Sequence, residues 1–128
     1  MLELCHIALT ALHPERNVWR AYRLSLGRDL FGEWTIDLRY GRIGQGGQGR
    51  RIACGSLEEA RRVARSYLRR RLSAPRRIGC TYRVVSFDPG QADLLSPALP
   101  PGLVSDLQRS PASSANREDA APLSTVSL

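Results

Sequence analysis

Residues 39–50 read Arg39-Tyr40-Gly41-Arg42-Ile43-Gly44-Gln45-Gly46-Gly47-Gln48-Gly49-Arg50, an aromatic ring and guanidinium groups set among glycines. A ring offers a face on which a base or sugar can stack, worth roughly 1–3 kcal/mol per contact. A guanidinium presents a rigid fork of donors that matches phosphate oxygens. Glycines let a sugar-phosphate chain come close to peptide N–H groups. This chemistry suits a nucleic-acid contact, and the candidate residues are Tyr40, Arg42, Gln48, Arg50 and Arg39. The Gly44-x-Gly46 pair is not a dinucleotide fingerprint, because such a site needs a strand, a tight turn and a helix, whereas a further strand follows Gly49. The chain contains no lysine, so no phosphate-binding P-loop exists.

The elements that must carry these residues follow from periodicity. Glu33 to Arg42 alternates, with Trp34, Ile36 and Leu38 on one face and Tyr40 and Arg42 continuing the same parity into the glycines. Residues 4–12 (LCHIALTAL) read as an opening strand, and Arg20 to Leu26 as a second, alternating through Tyr22, Leu24 and Leu26. The glycine-flanked stretch Gly27 to Gly32 suits a loop between antiparallel strands. Gly44 to Gly49 reads as a mobile loop, after which Arg50 to Cys54 re-enters a strand. A strand puts Arg50 and Arg51 on opposite faces, so only one of them can share a ligand with Arg42.

Ser56 and Glu59 form a capping box at the start of a helix. At 100° per residue, Leu57, Ala60, Val63, Ala64, Tyr67 and Leu68 share one arc, with Arg62, Arg65 and Arg69 opposite. That basic stripe reads as a solvated face, and Arg71, which points towards the apolar arc, is expected to snorkel outward at the helix end. Thr81 to Phe87 reads as a closing strand. The expected fold is α+β, an antiparallel sheet packed on one main helix.

In order, Asn17 to Tyr22 (NVWRAY), Leu30 to Trp34 (LFGEW), Tyr40 to Gly44 (YGRIG), Gly47-Gln48 and the helix opening at Ser56 to Ala60 resemble the WGR domain, named for a Trp-Gly-Arg triplet. Pro14 to Asn17 and the LFGEW stretch are similar to small bacterial members. The resemblance covers residues 4 to 87, with Tyr40 standing where the triplet has Trp. It implies binding to DNA ends, nicks or distorted backbone, with part of the contact carried by the ring at position 40, and an inter-domain contact as a further role for Arg42. The family also occurs in poly(ADP-ribose) polymerases, but nothing in this chain resembles their catalytic domain.

The net charge of +7 is unevenly placed. Residues 1–87 hold 17 arginines against 7 acidic residues, whereas residues 88–128 hold 2 against 5. The positive charge thus belongs to the expected domain, which suits a polyanionic partner. Residues 1–87 are read as the folded domain and 88–128 as a Pro/Ser/Ala-rich disordered tail, so a chain cut after Phe87 is expected to keep full stability. Leu94, Leu95, Leu99, Leu103 and Leu107 are more than a neutral linker carries and could form a docking segment.

Cys5, Cys54 and Cys80 show no CxxC spacing and, with His6 and His13, no metal-ligand pattern; three reduced cysteines in the cytoplasm are expected. Neither a signal peptide nor a run of 18 apolar residues is read. The histidines lack a nearby acid and a serine in a strained turn, so no enzyme, cofactor or small-molecule substrate is expected. The expected partner is DNA, with RNA left open. The alternative is a protein–protein adaptor or regulatory module that binds an acidic partner through the same arginines.

Overall fold

A computed structural model of the chain describes residues 1–73 and 79–104. Five strands form one sheet: β1 (Leu2–His13), β2 (Val18–Arg28), β3 (Trp34–Arg42), β4 (Gln48–Cys54) and β5 (Arg83–Asp88), with the helix α1 (Leu57–Leu72) between β4 and β5. The strand order is β4-β3-β2-β1-β5 and every pairing is antiparallel. The first four strands form a meander, and α1 carries the chain back across one sheet face to the far edge. The fold is the α+β arrangement expected from periodicity.

The first two strands are longer than their alternation suggests because the connection between them is one tight turn. Pro14 to Arg16 make a single 3-10 turn, closed by Asn17 in the left-handed conformation (φ 57°), whose N–H donates to the Pro14 carbonyl at 2.9 Å. Pairing therefore runs to His13 opposite Val18. Strand β4 likewise begins at Gln48, two residues before the expected start.

One sheet face is apolar: Cys5, Ile7, Leu9, Tyr22, Leu24, Leu26, Ile36 and Leu38 are buried against α1. The helix meets them with Ala60, Ala64 and Leu68, and Leu57, Val63 and Tyr67 flank that line. Its start is capped by Ser56 as expected, Ser56 Oγ accepting from the Glu59 N–H at 3.1 Å, but the Glu59 carboxylate reaches one residue further back than a capping box requires and accepts from the Gly55 N–H. Glu58 and Glu59 in the first turn and Arg69, Arg70 and Arg71 in the last both favour the helix dipole.

The packed chain continues beyond Phe87, where the sequence reading ends the domain. After β5, residues 89–104 turn back against α1, and Leu95, Ala98, Leu99 and Leu103 are buried in the same core. Two helix arginines hold this strap by its carbonyls, Arg61 Nε donating to Leu94 O at 2.9 Å and Arg65 Nη2 to Pro97 O at 2.6 Å. Arg65 is thus a clamp, not part of a purely solvated stripe. The physical reason is that three leucines and an alanine gain a core surface that no local period announces. The remainder of the expected tail, 105–128, lies outside the described residues. No described helix is long and apolar enough to cross a membrane.

Candidate nucleic-acid interface

Register decides which candidate residues can act together. Tyr40 lies opposite Tyr22 on β2 and Gln48 on β4, Leu38 lies opposite Arg50, and Arg42 lies opposite Arg20. Directly paired residues of an antiparallel sheet project to the same side. Tyr40, Arg42, Gln48 and Arg50 therefore share the helix-facing side at one end of the sheet, joined by Arg20. Arg50, not Arg51, is the member of its pair on this side. Arg39 lies on the opposite face, opposite Arg23 and 3.6 Å from the Asp37 carboxylate. The structure thus groups four of the five candidates and separates Arg39 from them.

The glycines of this hairpin are set by close approach. A Cβ at Gly41 would come within 2.6 Å of the Gly47 Cα, and one at Gly47 within 2.7 Å of the Tyr40 carbonyl oxygen. Gly47 also has φ +66°, where an L side chain is strained. The hairpin is further tied by the Ile43 N–H donating to Trp19 O at 2.8 Å and the Gln45 N–H to Arg42 O at 3.1 Å. These contacts fix where Tyr40 and Arg42 end, while a Cβ at Gly44 or Gly46 would meet open space.

Tyr40 is half-buried, and its ring lies 6.2 Å from that of Tyr22 at an interplanar angle of 30°. The Arg71 guanidinium, from the last turn of α1, sits 4.3 Å from the Tyr22 ring centroid and 6.0 Å from that of Tyr40. This corrects the expectation for Arg71. It stays inside because two aromatic faces attract the cation there. Burial pushes the Tyr22 hydroxyl up to about 12, with the Arg71 charge opposing the shift. The result is a ring–cation stack that ties the helix end to the aromatic position of the hairpin.

Arg42 is exposed but oriented. Its Nη2 donates to Asn17 Oδ1 at 2.9 Å and its Nη1 to Asn17 O at 3.4 Å. Beside it opens a cleft of about 450 Å³ lined by Arg16, Asn17, Val18, Trp19, Arg20, Gly41 and Arg42. Sequence reasoning missed Arg16, Trp19 and Arg20. The signal was partly present, since Arg20 shares the parity of Tyr22, but Arg16 reaches the cleft only through the tight Pro14–Arg16 turn. Three guanidinium groups around one opening, with Arg69 and Arg70 at the same end of α1, form a field that concentrates anions.

The sheet face away from α1 holds a second polar group. His6 Nε2 and Ser86 Oγ are 2.8 Å apart, and His6 Nδ1 lies 3.5 Å from Glu3 Oε2. The sequence reading placed no acid near the histidines, yet Glu3 lies three residues before His6 in β1, and the bulge between Glu3 and Cys5 brings the two together. Glu3 is already engaged by Ser25 Oγ at 2.8 Å and Arg23 Nη2 at 3.0 and 2.9 Å, and 3.5 Å exceeds a hydrogen bond to His6. Burial, then the charge of Arg23, push the His6 pKa below its usual 6.5, so the ring is neutral at pH 7. Cys5, Cys54 and Cys80 are free thiols, and burial above all pushes Cys5 up to about 12. Among the described residues, no group of three metal-ligating side chains could hold an ion.

The described chain is an antiparallel sheet backed by one helix, with an aromatic-Gly-Arg hairpin at its basic end. The WGR domain model matches residues 5–74, more than half of the chain, and the protein belongs to the WGR domain family. No curated protein matches the chain. The WGR domain is a non-catalytic module that binds nucleic acid, as in poly(ADP-ribose) polymerase-like proteins.

Proposed function

We propose that this protein binds DNA through the basic end of its sheet, favouring ends, nicks or distorted backbone, and performs no chemistry on it. The observation that carries the reading is the convergence of Arg16, Arg20 and Arg42 on one cleft beside Tyr40, Gln48 and Arg50. Arginine forks would hold phosphates, the exposed part of the Tyr40 ring would stack on a base or sugar, and Gln48 would add a donor. A distorted or broken backbone is favoured because stacking needs an unpaired face, which an intact duplex does not present. RNA with a free single-stranded segment would meet the same chemistry. Free thiols suit a reducing compartment such as the cytoplasm.

Titration of the full chain with nicked, blunt-ended and intact duplexes at several salt concentrations tests the reading. Three to five neutralised phosphates require log K to fall against log salt with a slope of roughly −3 to −4.5. Tighter binding to the nick or end than to intact duplex is expected. A slope near zero, or no binding at low salt, would remove nucleic acid as the partner and leave an acidic protein as the ligand of the same arginines.

A further inference from the structure

The LFGEW stretch has no part in the basic end, yet it forms the most exposed apolar feature among the described residues. It makes the tip of the β2–β3 hairpin, opposite in the sheet from the Tyr40 turn. Asp29 Oδ1 accepts from the Phe31 N–H at 2.8 Å and the Glu33 N–H at 2.9 Å. The Asp29 N–H donates to Glu33 O and the Gly32 N–H to Asp29 O, each at 3.0 Å. These four bonds brace the turn and hold Leu30 and Phe31 outward, 96% and 90% exposed. Leu2, which pairs with Arg28 at the base of the hairpin, is a third exposed apolar chain at this end. A single exposed leucine needs no explanation, but adjacent ones held on a braced turn make a patch.

The two ends of the molecule carry opposite charge. Around the tip stand Asp29, exposed Glu33, and Glu58 and Glu59 in the first turn of α1, which starts at this end because Trp34 pairs with Cys54. Arg28, at the base of the hairpin, is folded over the Trp34 ring at 4.2 Å and donates to Gly32 O. At the other end, the cleft of about 450 Å³ has Val18 and Trp19 among its walls and Arg16, Arg20 and Arg42 around it. The acid-rimmed tip with its two apolar side chains is thus complementary in charge to a mostly polar, base-rimmed cleft that offers it Val18 and Trp19 on the same molecule.

We propose that the chain self-associates head to tail, with Leu30 and Phe31 of one copy seated against Val18 and Trp19 of the next. Asp29 and Glu33 then face the arginines of the cleft. Charge selects this occupant: the acidic rim repels an anionic lipid surface, a phosphate backbone and a second tip alike. The cleft volume lies in the range that admits small apolar groups. The contact is small, so association is weak and appears at high protein concentration. It is also heterologous, leaving a free tip and a free cleft on every assembly, so growth does not stop at two copies. Nucleic-acid binding is not required for it, although Arg42 lies in both sites and an oligonucleotide should dissolve the assemblies.

Sedimentation equilibrium of the full chain over a range of concentrations at low salt is expected to show an average mass that rises past a dimer and falls as salt is added. Phe31→Asp removes the tip and Arg20→Glu reverses the cleft, both at exposed positions, so melting temperatures should stay unchanged. Each variant alone should be monomeric. Mixed together they retain one intact cleft and one intact tip, and should form a one-to-one dimer that grows no further. A wild-type chain that stays monomeric throughout would overturn the proposal. So would Arg20→Glu that still self-associates, the signature of tip-to-tip pairing, or a mixture that stays monomeric.

Discussion

Replacing Leu95 with alanine tests whether the strap after β5 belongs to the core. Leu95 has none of its surface exposed, and it packs with Leu99 and Leu103 on the helix side of the sheet. Removing a buried leucine side chain costs its transfer energy and leaves a cavity, together roughly 2–5 kcal/mol. For a folded unit of this size each kcal/mol shifts the melting temperature by about 4–8 °C, so a fall of about 10 °C or more is expected. Such a loss is a large share of a total stability that is typically about 5–15 kcal/mol. Thermal melting followed by circular dichroism, with urea unfolding for the free energy, reads both quantities. Leu30→Ala, at the exposed hairpin tip, is the control and should stay within about 0.5 kcal/mol of the wild type. A chain ending at Phe87 should be weakened further, because it also loses Ala98, Leu99, Leu103 and the acceptors of Arg61 and Arg65. If Leu95→Ala melts like Leu30→Ala, residues 89–104 are not part of the core and the domain ends at β5.

The remaining predictions concern the hairpin and the sheet face away from α1. Gly47→Ala should destabilise the fold by roughly 1–3 kcal/mol, since the residue sits at φ +66° with a Cβ aimed at the Tyr40 carbonyl; an unchanged urea midpoint would contradict this. Arg42→Ala should weaken DNA binding and reduce the salt slope by about one unit, as loss of one phosphate contact requires; a parallel salt dependence would remove Arg42 from the interface. Tyr40→Trp should tighten binding to a nick or end by enlarging the stacking face, read by the same titration at fixed salt. The folded pKa of His6 lies below 6.5 and that of Glu3 below 4.5. For Glu3, burial raises the pKa, but the Ser25 and Arg23 bonds, with nearby charge, outweigh it. Proton uptake is therefore disfavoured by folding: the stability from His6 is complete above pH 6.5 and is lost as pH falls through its lower folded value. Glu3 adds a further loss below pH 4.5. Melting temperatures between pH 8 and pH 3.5 should fall in that order, and His6→Gln should flatten the upper step.

Elements with a strong period were legible in the sequence, and those that depend on register were not. Alternation through Trp34, Ile36 and Leu38 located β3, and the Ser56–Glu59 pair located the start of α1 within a residue. The strap escaped because it has no single period. It is built from short helical turns at Gln91–Asp93 and Ser96–Ala98, with Ala92 and Asp93 at positive φ, and Pro97 starts a turn instead of ending structure. Its leucines find the core one turn at a time. The cleft beside Arg42 was hidden for a similar reason. Arg16 and Arg20 are near neighbours in sequence, but Arg42 is distant and meets them only because β2 and β3 pair in one register and the Pro14–Arg16 turn folds back.

Tyr40 shows why a residue can be read as core and as contact without contradiction. It continues the core-facing parity of β3, and the structure half-buries it against Tyr22 and under the reach of Arg71. The fold uses that side of the ring, while the part left exposed lies beside Gln48 and the tied glycine turn. A Tyr40→Ala chain should therefore lose both packing, roughly 1–3 kcal/mol for a half-buried ring, and stacking with a nucleic acid. The two losses separate by salt: stacking releases no counterions, so affinity of the folded variant should drop with its salt slope unchanged. Normal affinity in a variant that melts early would leave Tyr40 with its packing role alone and move the contact to Arg42 and its neighbouring arginines.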